Sequence, residues 1–189
     1  MTVGLFLRGG SAMSPGPLGT ADTVLTGSLN DTAFTELLTF DYVLSRPILV
    51  NSFPASLSVS AVTGTVESRY RIQRVVAATV TDSTGYSTVQ TGTGITTETL
   101  SFAVAPTWAA TDSVRLSFEI RRSAGHGNVD ATVDVESLDS FVEVGLGIST
   151  INAWDGATWV PGGLRIWTGT RWDAAVAQRW NGAAWVDVL

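Results

Sequence analysis

The sequence predicts an all-β protein, with an antiparallel, jelly-roll-like β-sandwich followed by a small C-terminal module of three tryptophan-rich β-hairpin repeats. Apolar residues recur with a period of two from about residue 24 to residue 147. Clusters of Gly, Asp, Asn, Ser and Thr interrupt this pattern, and the apolar runs between the clusters are each about as long as one strand. A Trp-x-Gly-x-x-Trp motif then occurs three times in the last thirty-six residues. We therefore divide the chain into residues 1–23, 24–150 and 151–189.

The first segment, residues 1–23, is predicted to be an N-terminal arm. Apolar residues alternate at its start as in a short strand, and Gly and Pro then interrupt regular structure from residue 9 to residue 19. An apolar strand joined to its domain by such a linker is suited to adding onto the sheet edge of a neighbouring subunit. The alternative is a terminus that lies on its own domain. The residues of this candidate assembly arm are Val3, Leu5, Phe6 and Leu7.

The second segment is predicted to contain eight or nine strands of the sandwich. The alternating runs are 34–44, 57–61, 70–80, 100–104, 114–120, 131–135 and 141–146. Turn clusters separate them at 82–85, 92–94, 110–112 and 125–128. One break in the alternation, near Arg74, predicts a β-bulge.

Two places in this segment are less regular. Residues 31–38 begin with an Asp that is suited to capping a helical turn, and a strand competes with that helix. Trp108 follows Pro106 between two predicted strands. We expect Trp108 to plug one end of the sandwich rather than to belong with the other tryptophans.

The C-terminal segment carries the other six tryptophans. Asp-Gly and Asn-Gly in the first and third repeats are strong hairpin signals. With a two-residue loop or with a four-residue loop, both tryptophans of a repeat share one face of the ribbon. Because a short hairpin is marginal alone in water, the indoles must pack against each other, against the preceding domain, against another chain or against a ligand. The candidate interface or ligand-binding residues, thirteen positions apart in each series, are Trp154, Trp159, Trp167, Trp172, Trp180 and Trp185.

Composition argues against several classes of function. The chain has no cysteine and no lysine, and its formal net charge is −6, which disfavours a nucleic-acid binder because such a protein needs a basic face. One histidine and no cysteine cannot build a zinc site. No run of eighteen apolar residues and no secretory signal is present, so we expect no membrane partner. We predict no metal and no cofactor.

No catalytic constellation is predicted either. His126 stands in a Gly-His-Gly-Asn turn without a nucleophile motif nearby. Asp130, Asp134 and Glu136 share one strand face, with Asp139 beyond, and could offer oxygens to Ca²⁺ or serve as acid and base. The expected role is a solvated face. We expect these carboxylates to pair with arginines of adjacent strands, among them Arg69, Arg71, Arg115 and Arg121.

The repeats resemble the Trp-x-Gly-x-x-Trp units at the C-termini of structural proteins of bacteriophages of actinobacteria, usually described as minor tail or tail-fibre proteins. The resemblance covers Trp154 to Val186 and, more loosely, residues 4–9. It implies a non-enzymatic virion protein, a minor tail or tail-tip component that contacts other virion proteins, forms a homo-oligomer (a trimer first) and meets cell-surface glycans. Alternatives are a capsid decoration or head-fibre protein, a carbohydrate-binding module of a secreted protein and, last, a cell-wall hydrolase.

Overall fold

The structure, a computed structural model, describes residues 2–9, 11–15, 19–45, 47–48, 50–145, 151–154, 159–162, 165–167, 172–174, 178–180 and 185–187. For residues 2–3, and from residue 151 onward, it describes the backbone alone. The chain divides into a larger compact unit, residues 2–145, and a smaller one that contains residues 146–189. Every regular element of the described residues is a β-strand, so the prediction of an all-β protein is confirmed.

The larger unit is built from β-strands rich in Val, Thr, Ile and Phe, the residue types that favour a pleated, half-buried surface. Their bounds are β1 Thr2–Arg8, β2 Ala12–Ser14, β3 Asp22–Leu25, β4 Thr35–Val43, β5 Ser52–Thr63, β6 Thr65–Val76, β7 Thr79–Ser83, β8 Gln90–Thr91, β9 Gly94–Ser101, β10 Ser113–Ala124, β11 Asp130–Val135 and β12 Phe141–Gly145.

These strands form an open, mostly antiparallel sheet. Its order is β3-β11-β5-β12-β1-β2-β4-β10-β6-β7, with β9 beside β5 and β8 beside β6. The described residues join β2 to β4 in parallel through the single pair Ala12 and Asp41. This narrow seam separates a half built on β5 from a half built on β10, an arrangement that is consistent with a β-sandwich.

The core lies between the two halves. Along β10, alternate side chains are fully buried while their neighbours face outward. Tyr70 of β6 connects the halves, because its hydroxyl donates to the carbonyl oxygens of Ala55 on β5 at 2.9 Å and Thr96 on β9 at 3.1 Å. Burial raises the pKa of Tyr70, and the nearby Glu98 carboxylate adds to this effect. The hydroxyl therefore stays a hydrogen-bond donor.

Trp108, which is predicted to plug one end of the sandwich, is buried and part of this core. Its ring packs edge-on against Phe53 and Phe102, at centroid distances of 5.6 and 5.8 Å. Its indole N–H donates to the carbonyl of Val50 at 3.2 Å. The three rings and this hydrogen bond fix the loop between β9 and β10 over one end of the unit.

The N-terminal strand differs from the prediction of an arm. β1 pairs along its length with β12 and at its end with β2, so it lies inside the sheet of its own domain. Leu5 and Leu7 are 1% and 0% exposed, and Phe6 is half-buried. The prediction that this strand reaches out to a neighbour is corrected, because the alternating apolar face is buried within the same chain.

The strand register shifts at four places. The expected bulge near Arg74 is confirmed, since the β6–β7 register shifts between Arg74 and Val75. A second shift sets Ala61 of β5 opposite Thr132 and Val59 opposite Val133. Ser60 is thus an extra residue, and Ala61, predicted to face inward with Val59, is exposed. The third shift lies in the pairing of β4 with β10, and the fourth lies in the pairing of β10 with β6 between Arg122 and Ala124.

The helical turn considered at residues 31–38 is not formed. The Asp31 carboxylate accepts the N–H of Ala33 at 2.9 Å and so closes a local turn. The chain then enters β4 at Thr35 and pairs with β10. The competing strand prevails because β4 buries Phe40 and half-buries Leu38 against β10, which one isolated helical turn could not do.

In the smaller unit the described backbone forms three two-stranded antiparallel pairs. Their bounds are β13 Ile151–Trp154 with β14 Trp159–Gly162, β15 Arg165–Trp167 with β16 Trp172–Ala174, and β17 Gln178–Trp180 with β18 Trp185–Asp187. In each pair the two tryptophan positions stand directly opposite one another. Of the two loop lengths considered, this register matches the four-residue one.

Candidate functional site

The outer face of β6 and β10 carries a ladder of opposite charges. Because Phe118 and Ile120 face the core, Glu119 and Arg121 face outward. The register sets Arg121 opposite Glu67 and Glu119 opposite Arg69, and Arg121 Nε donates to Glu67 Oε2 at 2.6 Å. Directly opposed charges of unlike sign stabilise a strand pair.

The ladder of charges continues from β10 to β4. Arg115 of β10 donates to the two carboxylate oxygens of Asp41 on β4 at 2.7 and 2.8 Å. This pair of hydrogen bonds raises the pKa of Arg115. The outer face of three successive strands is therefore cross-linked by arginine–carboxylate pairs.

Five side chains stack along this face in the order Arg121, Phe34, Arg69, Tyr86 and Arg71, and we call them the arginine–aromatic stack. The guanidinium carbon of Arg69 lies 3.9 Å from the Phe34 ring centroid and 3.5 Å from the Tyr86 ring centroid. Arg121 covers the other side of Phe34 at 4.4 Å, and Arg71 covers Tyr86 at 4.7 Å. Cation–π contacts contribute about 0.5–1 kcal/mol each at exposed sites.

Glu119 anchors the stack from below. Its side chain is 6% exposed, and its Oε2 accepts from Arg69 Nε at 2.9 Å and Nη2 at 2.7 Å. Its Oε1 accepts from the Tyr86 hydroxyl at 2.9 Å and lies 3.5 Å from Arg71 Nη2. Two guanidinium groups and a phenol thus compensate the desolvation of one carboxylate.

A segment that runs along the edge of β6 positions Tyr86. Thr84 and Ser87 exchange main-chain and hydroxyl hydrogen bonds with Ile72 and Tyr70 of β6, at distances from 2.7 to 3.0 Å. Burial raises the pKa of Tyr86, and its hydrogen bond to Glu119 raises it further. The phenol is therefore a donor rather than a base.

The stack is suited to holding segments together. In the described part of the chain every buried side-chain nitrogen or oxygen atom has a hydrogen-bond partner. Covalent catalysis needs a nucleophile beside a base that a third group orients, and the stack offers neither. Its chemistry is to tie the segment before β4 and the segment after β7 onto the β6–β10 pair.

The carboxylates on β11 are placed differently from the expectation. Asp134 accepts from the Ser58 hydroxyl at 2.6 Å, and Glu136 forms an ion pair with Arg8 and accepts the N–H of Gly19 at 2.7 Å. The predicted partners Arg69, Arg71, Arg115 and Arg121 bind Glu119, Asp41 and Glu67 instead. That pairing prediction is wrong because β11 lies between β3 and β5, away from β6 and β10.

A shallow groove of about 420 Å³ lies beside these carboxylates. It is lined by Ala21, Asp22, Thr23, Asp134, Val135 and Ser137. Glu136 does not continue the strand face of Asp130 and Asp134, since its positive φ of 54° turns the chain after β11. No group of three or more His, Cys, Asp or Glu side chains within the described residues is arranged to hold a metal ion.

His126 lies in an exposed turn between Gly125 and Gly127, both of which have a positive φ. This position matches the role of a turn residue. A second surface feature, an apolar hollow of about 200 Å³, is lined by Gly4, Phe6, Leu138, Phe141 and Glu143. The register sets Phe6 of β1 opposite Phe141 of β12, so the hollow follows from one cross-strand pair.

The predicted tryptophan site is described at the level of the backbone alone. Trp154, Trp167 and Trp180 each end one strand, and their opposite partners begin the next one. The predicted common face of the six indoles concerns side chains outside the described residues and stays a prediction. Residues 155–158, 168–171 and 181–184, where turns are predicted, lie outside them as well. Among the described residues no helix has the length and apolar character that a membrane span requires.

Three residues of this site were not predicted from the sequence, namely Phe34, Tyr86 and Glu119. Glu119 lies at an outward position of an alternating run, and such a position is ordinarily predicted to be exposed to solvent. Phe34 and Tyr86 come from irregular segments far from β10 in sequence. The one usable signal was the alternation of Arg and Glu at the outward positions of β6 and β10, which indicates a cross-strand charge ladder.

Comparison with known proteins adds a likeness of fold. Solved structures similar to this chain include two crystal structures of a CocE/NonD family hydrolase from Staphylococcus aureus. Their TM-scores are 0.56 and 0.52, and their sequence identities are 8% and 9%. Each alignment covers 76% of this chain and 36% of the hydrolase chain. The chain thus spans about a third of those proteins.

At such identities the likeness shows the fold alone. It supports an all-β, sandwich-like architecture for this chain. No protein-family model and no curated protein matches the sequence.

Proposed function

We propose that this chain is a non-enzymatic structural protein of a bacteriophage virion, a minor tail or tail-tip component. In this proposal the larger unit is a jelly-roll scaffold, and the three hairpins form one C-terminal module that contacts other virion proteins or the host surface. The protein acts as a homo-oligomer, a trimer first, in the virion after assembly in the host cytoplasm and release by lysis.

The observation that carries the proposal is the equal register of the three hairpins. In each one the two tryptophan positions are directly opposed, and the sequence spaces the three motifs thirteen residues apart. Opposed positions in an antiparallel pair share one face. Three identical aromatic pairs are a suitable means of making the same contact repeatedly, and repeated copies on a particle add avidity.

The larger unit supports a structural role through its chemistry. Its outward charges are paired with each other, as in the arginine–aromatic stack, and His126 lies in an exposed turn. The similar S. aureus proteins are named hydrolases. This chain spans about a third of their length, and its carboxylates Glu119, Asp134 and Glu136 are engaged in contacts within the larger unit. We therefore propose a scaffold rather than an enzyme.

Location in the particle tests this proposal. Labelling the protein in intact virions and imaging them by electron microscopy is expected to place it on the tail. Label confined to the head would favour the alternative of a capsid decoration or head-fibre protein. Absence of label from purified particles would refute a virion role altogether.

A second candidate, a carbohydrate-binding module, is favoured by the same opposed tryptophans, because a flat indole matches the apolar face of a sugar ring. Trp180→Ala and Trp185→Ala are then expected to weaken binding to host-wall polysaccharide by about tenfold each, a loss on the order of 1–2 kcal/mol. Trp185→Phe retains an aromatic face and serves as the matched control. Polysaccharide pull-down measures the effect, and indifference of the unmodified protein to wall glycans would eliminate this candidate.

A further inference from the structure

β9 is the outermost strand of its half of the sheet. It pairs with β5 along its full length, Gly94 opposite Val59 and Ser101 opposite Ser52. On its other side the described residues of the larger unit place no strand. Among the described residues of that unit, one complete edge of this eight-residue strand therefore has no neighbouring strand.

The hydrogen-bond pattern shows which residues form this edge. Phe102, just beyond β9, donates its N–H to the carbonyl of Asn51, just before β5. In an antiparallel pair such bonding alternates, so residues of even number in β9 bond to β5. The N–H and C=O groups of the odd-numbered residues point away from β5. These residues, all with exposed side chains, are Ile95, Thr97, Thr99 and Ser101.

The edge lacks most of the features that usually protect a strand from pairing. Proteins blunt edges with Pro, lysines, bulges or very short strands. β9 contains no Pro and no Lys, and its register with β5 is continuous. Its one charge, Glu98, accepts the N–H and the hydroxyl of Thr88. By contrast, β7, an outer strand of the other half, carries a register shift in its pairing with β6.

We propose that β9 pairs in antiparallel fashion with β9 of a second copy of this chain. A twofold axis at Thr97 sets Thr97 opposite its own copy, Ile95 opposite Thr99 and Thr96 opposite Glu98. Thr–Thr and Thr–Ile pairs suit adjacent strands, and no like charges meet. A register centred on Glu98 would oppose two carboxylates, which disfavours it. The contact joins two halves into one continuous sheet and closes after two copies.

This contact is independent of the tryptophan module and of the proposed virion role. A trimer formed through the C-terminal hairpins and a dimer formed through β9 can coexist, because they use different surfaces. The test must therefore report on β9 alone.

Thr97→Pro in the full-length chain supplies that test. The Thr97 N–H points away from β5, so Pro removes the donor at the edge and keeps the main-chain bonds to β5. It also removes the hydrogen bond between the Thr97 and Ser56 hydroxyls, which measures 2.8 Å. Light scattering at micromolar concentration is expected to show half the mass of the unmodified protein, with the same far-ultraviolet circular dichroism. An unchanged mass in a folded variant, or a monomeric unmodified protein, would overturn the proposal.

Thr97→Cys gives a second readout that remains available if the proline variant does not fold. The chain has no cysteine, and directly opposed residues bring their Cα atoms within disulfide range. Under mild oxidation we expect a covalent dimer about a hundredfold faster than for Thr79→Cys, an exposed position on β7, because pairing raises the effective concentration to the millimolar range. Equal rates for the two variants would contradict pairing at Thr97.

Discussion

Glu119 shows how a charged side chain becomes buried while facing the outside of a sheet. Phe34 and Tyr86 flank the guanidinium of Arg69, and that guanidinium and the Tyr86 hydroxyl bond to the Glu119 carboxylate. Removing one member of such a group leaves the others desolvated without a partner. The contribution of Glu119 to stability therefore depends on two segments that are remote from it in sequence.

We expect Glu119→Gln to lower the free energy of unfolding by about 2–4 kcal/mol, because two half-buried guanidinium groups lose their counter-charge. Urea denaturation measures the change. Glu143→Gln, a substitution at a half-buried carboxylate on β12, is the matched control and is expected to stay within about 0.5 kcal/mol of the unmodified protein. A similar small change for Glu119→Gln would mean that the stack contributes little.

Asp112 is a second buried carboxylate, 3% exposed, at the start of β10. It accepts the Ala109 N–H at 2.8 Å and Arg74 Nε at 2.8 Å. Burial acts to raise the pKa of Asp112, but these donors outweigh it and lower the pKa below its ordinary value of 3.8. The ionised form is therefore favoured by folding, and Asp112 contributes stability above that value.

This contribution is expected to disappear as the pH falls through the lowered pKa of Asp112. Urea denaturation of the unmodified protein should show the free energy of unfolding falling below about pH 4. Asp112→Asn, which cannot ionise, should be less stable at neutral pH and should show a shallower decline in acid. Asp139→Asn at an exposed position should keep the original slope. Parallel pH profiles for the Asp112 variant and the unmodified protein would refute this account.

At the scale of elements, the hairpin between β6 and β7 is built on an unfavourable turn. Val76 pairs with Thr79, and the two residues between them, Ala77 and Ala78, have φ values of 47° and 66°. A two-residue loop with both φ positive matches the right-handed twist of the flanking strands. In this left-handed region of backbone conformation an alanine is destabilised by steric repulsion by about 1–2 kcal/mol, whereas Asn and Gly adopt it readily.

Replacing this turn with Ala77→Asn and Ala78→Gly is expected to raise the free energy of unfolding by about 1–2 kcal/mol, because the strain is relieved while the register is kept. Thermal and urea denaturation measure it. Ala77→Val, which places a β-branched residue at positive φ, should destabilise the protein. If the Asn-Gly variant were no more stable, the turn could not hold the stored strain that we assign to it.

At the scale of the whole molecule, a period of two in the sequence predicted the all-β class and the runs that became β4, β5, β6, β10, β11 and β12. The predicted run 100–104 overlaps only the last two residues of β9. The period of two does not show which strands pair, and the predictions that depended on the pairing of strands remote in sequence were wrong. The alternation from Leu5 to Leu7 shows a buried face and leaves open which sheet buries it. The Ser60 bulge reverses the faces of β5 at Ala61, and Ala77-Ala78 carries no turn signal, so 70–80 looked like one strand.

The candidate site was less predictable than the fold. The charge ladder on β6 and β10 could be read from alternating Arg and Glu once the two strands were paired. Phe34 and Tyr86 could not, because each belongs to an irregular segment whose course follows from tertiary contacts. In contrast, the Asp-Gly and Asn-Gly signals of the repeats predicted strand pairs that the described backbone forms, because the two strands of each pair are close in sequence.

The pairing of β1 with β12 has a consequence for biosynthesis. The ribosome makes the first strand of this domain at the outset and its main partner only near the domain's end. Until then Leu5 and Leu7 have no β12 to cover them, and closing so long a loop slows folding. The nascent chain therefore presents an incomplete sheet until β12 has been made, which makes this period the one in which a chaperone would matter most.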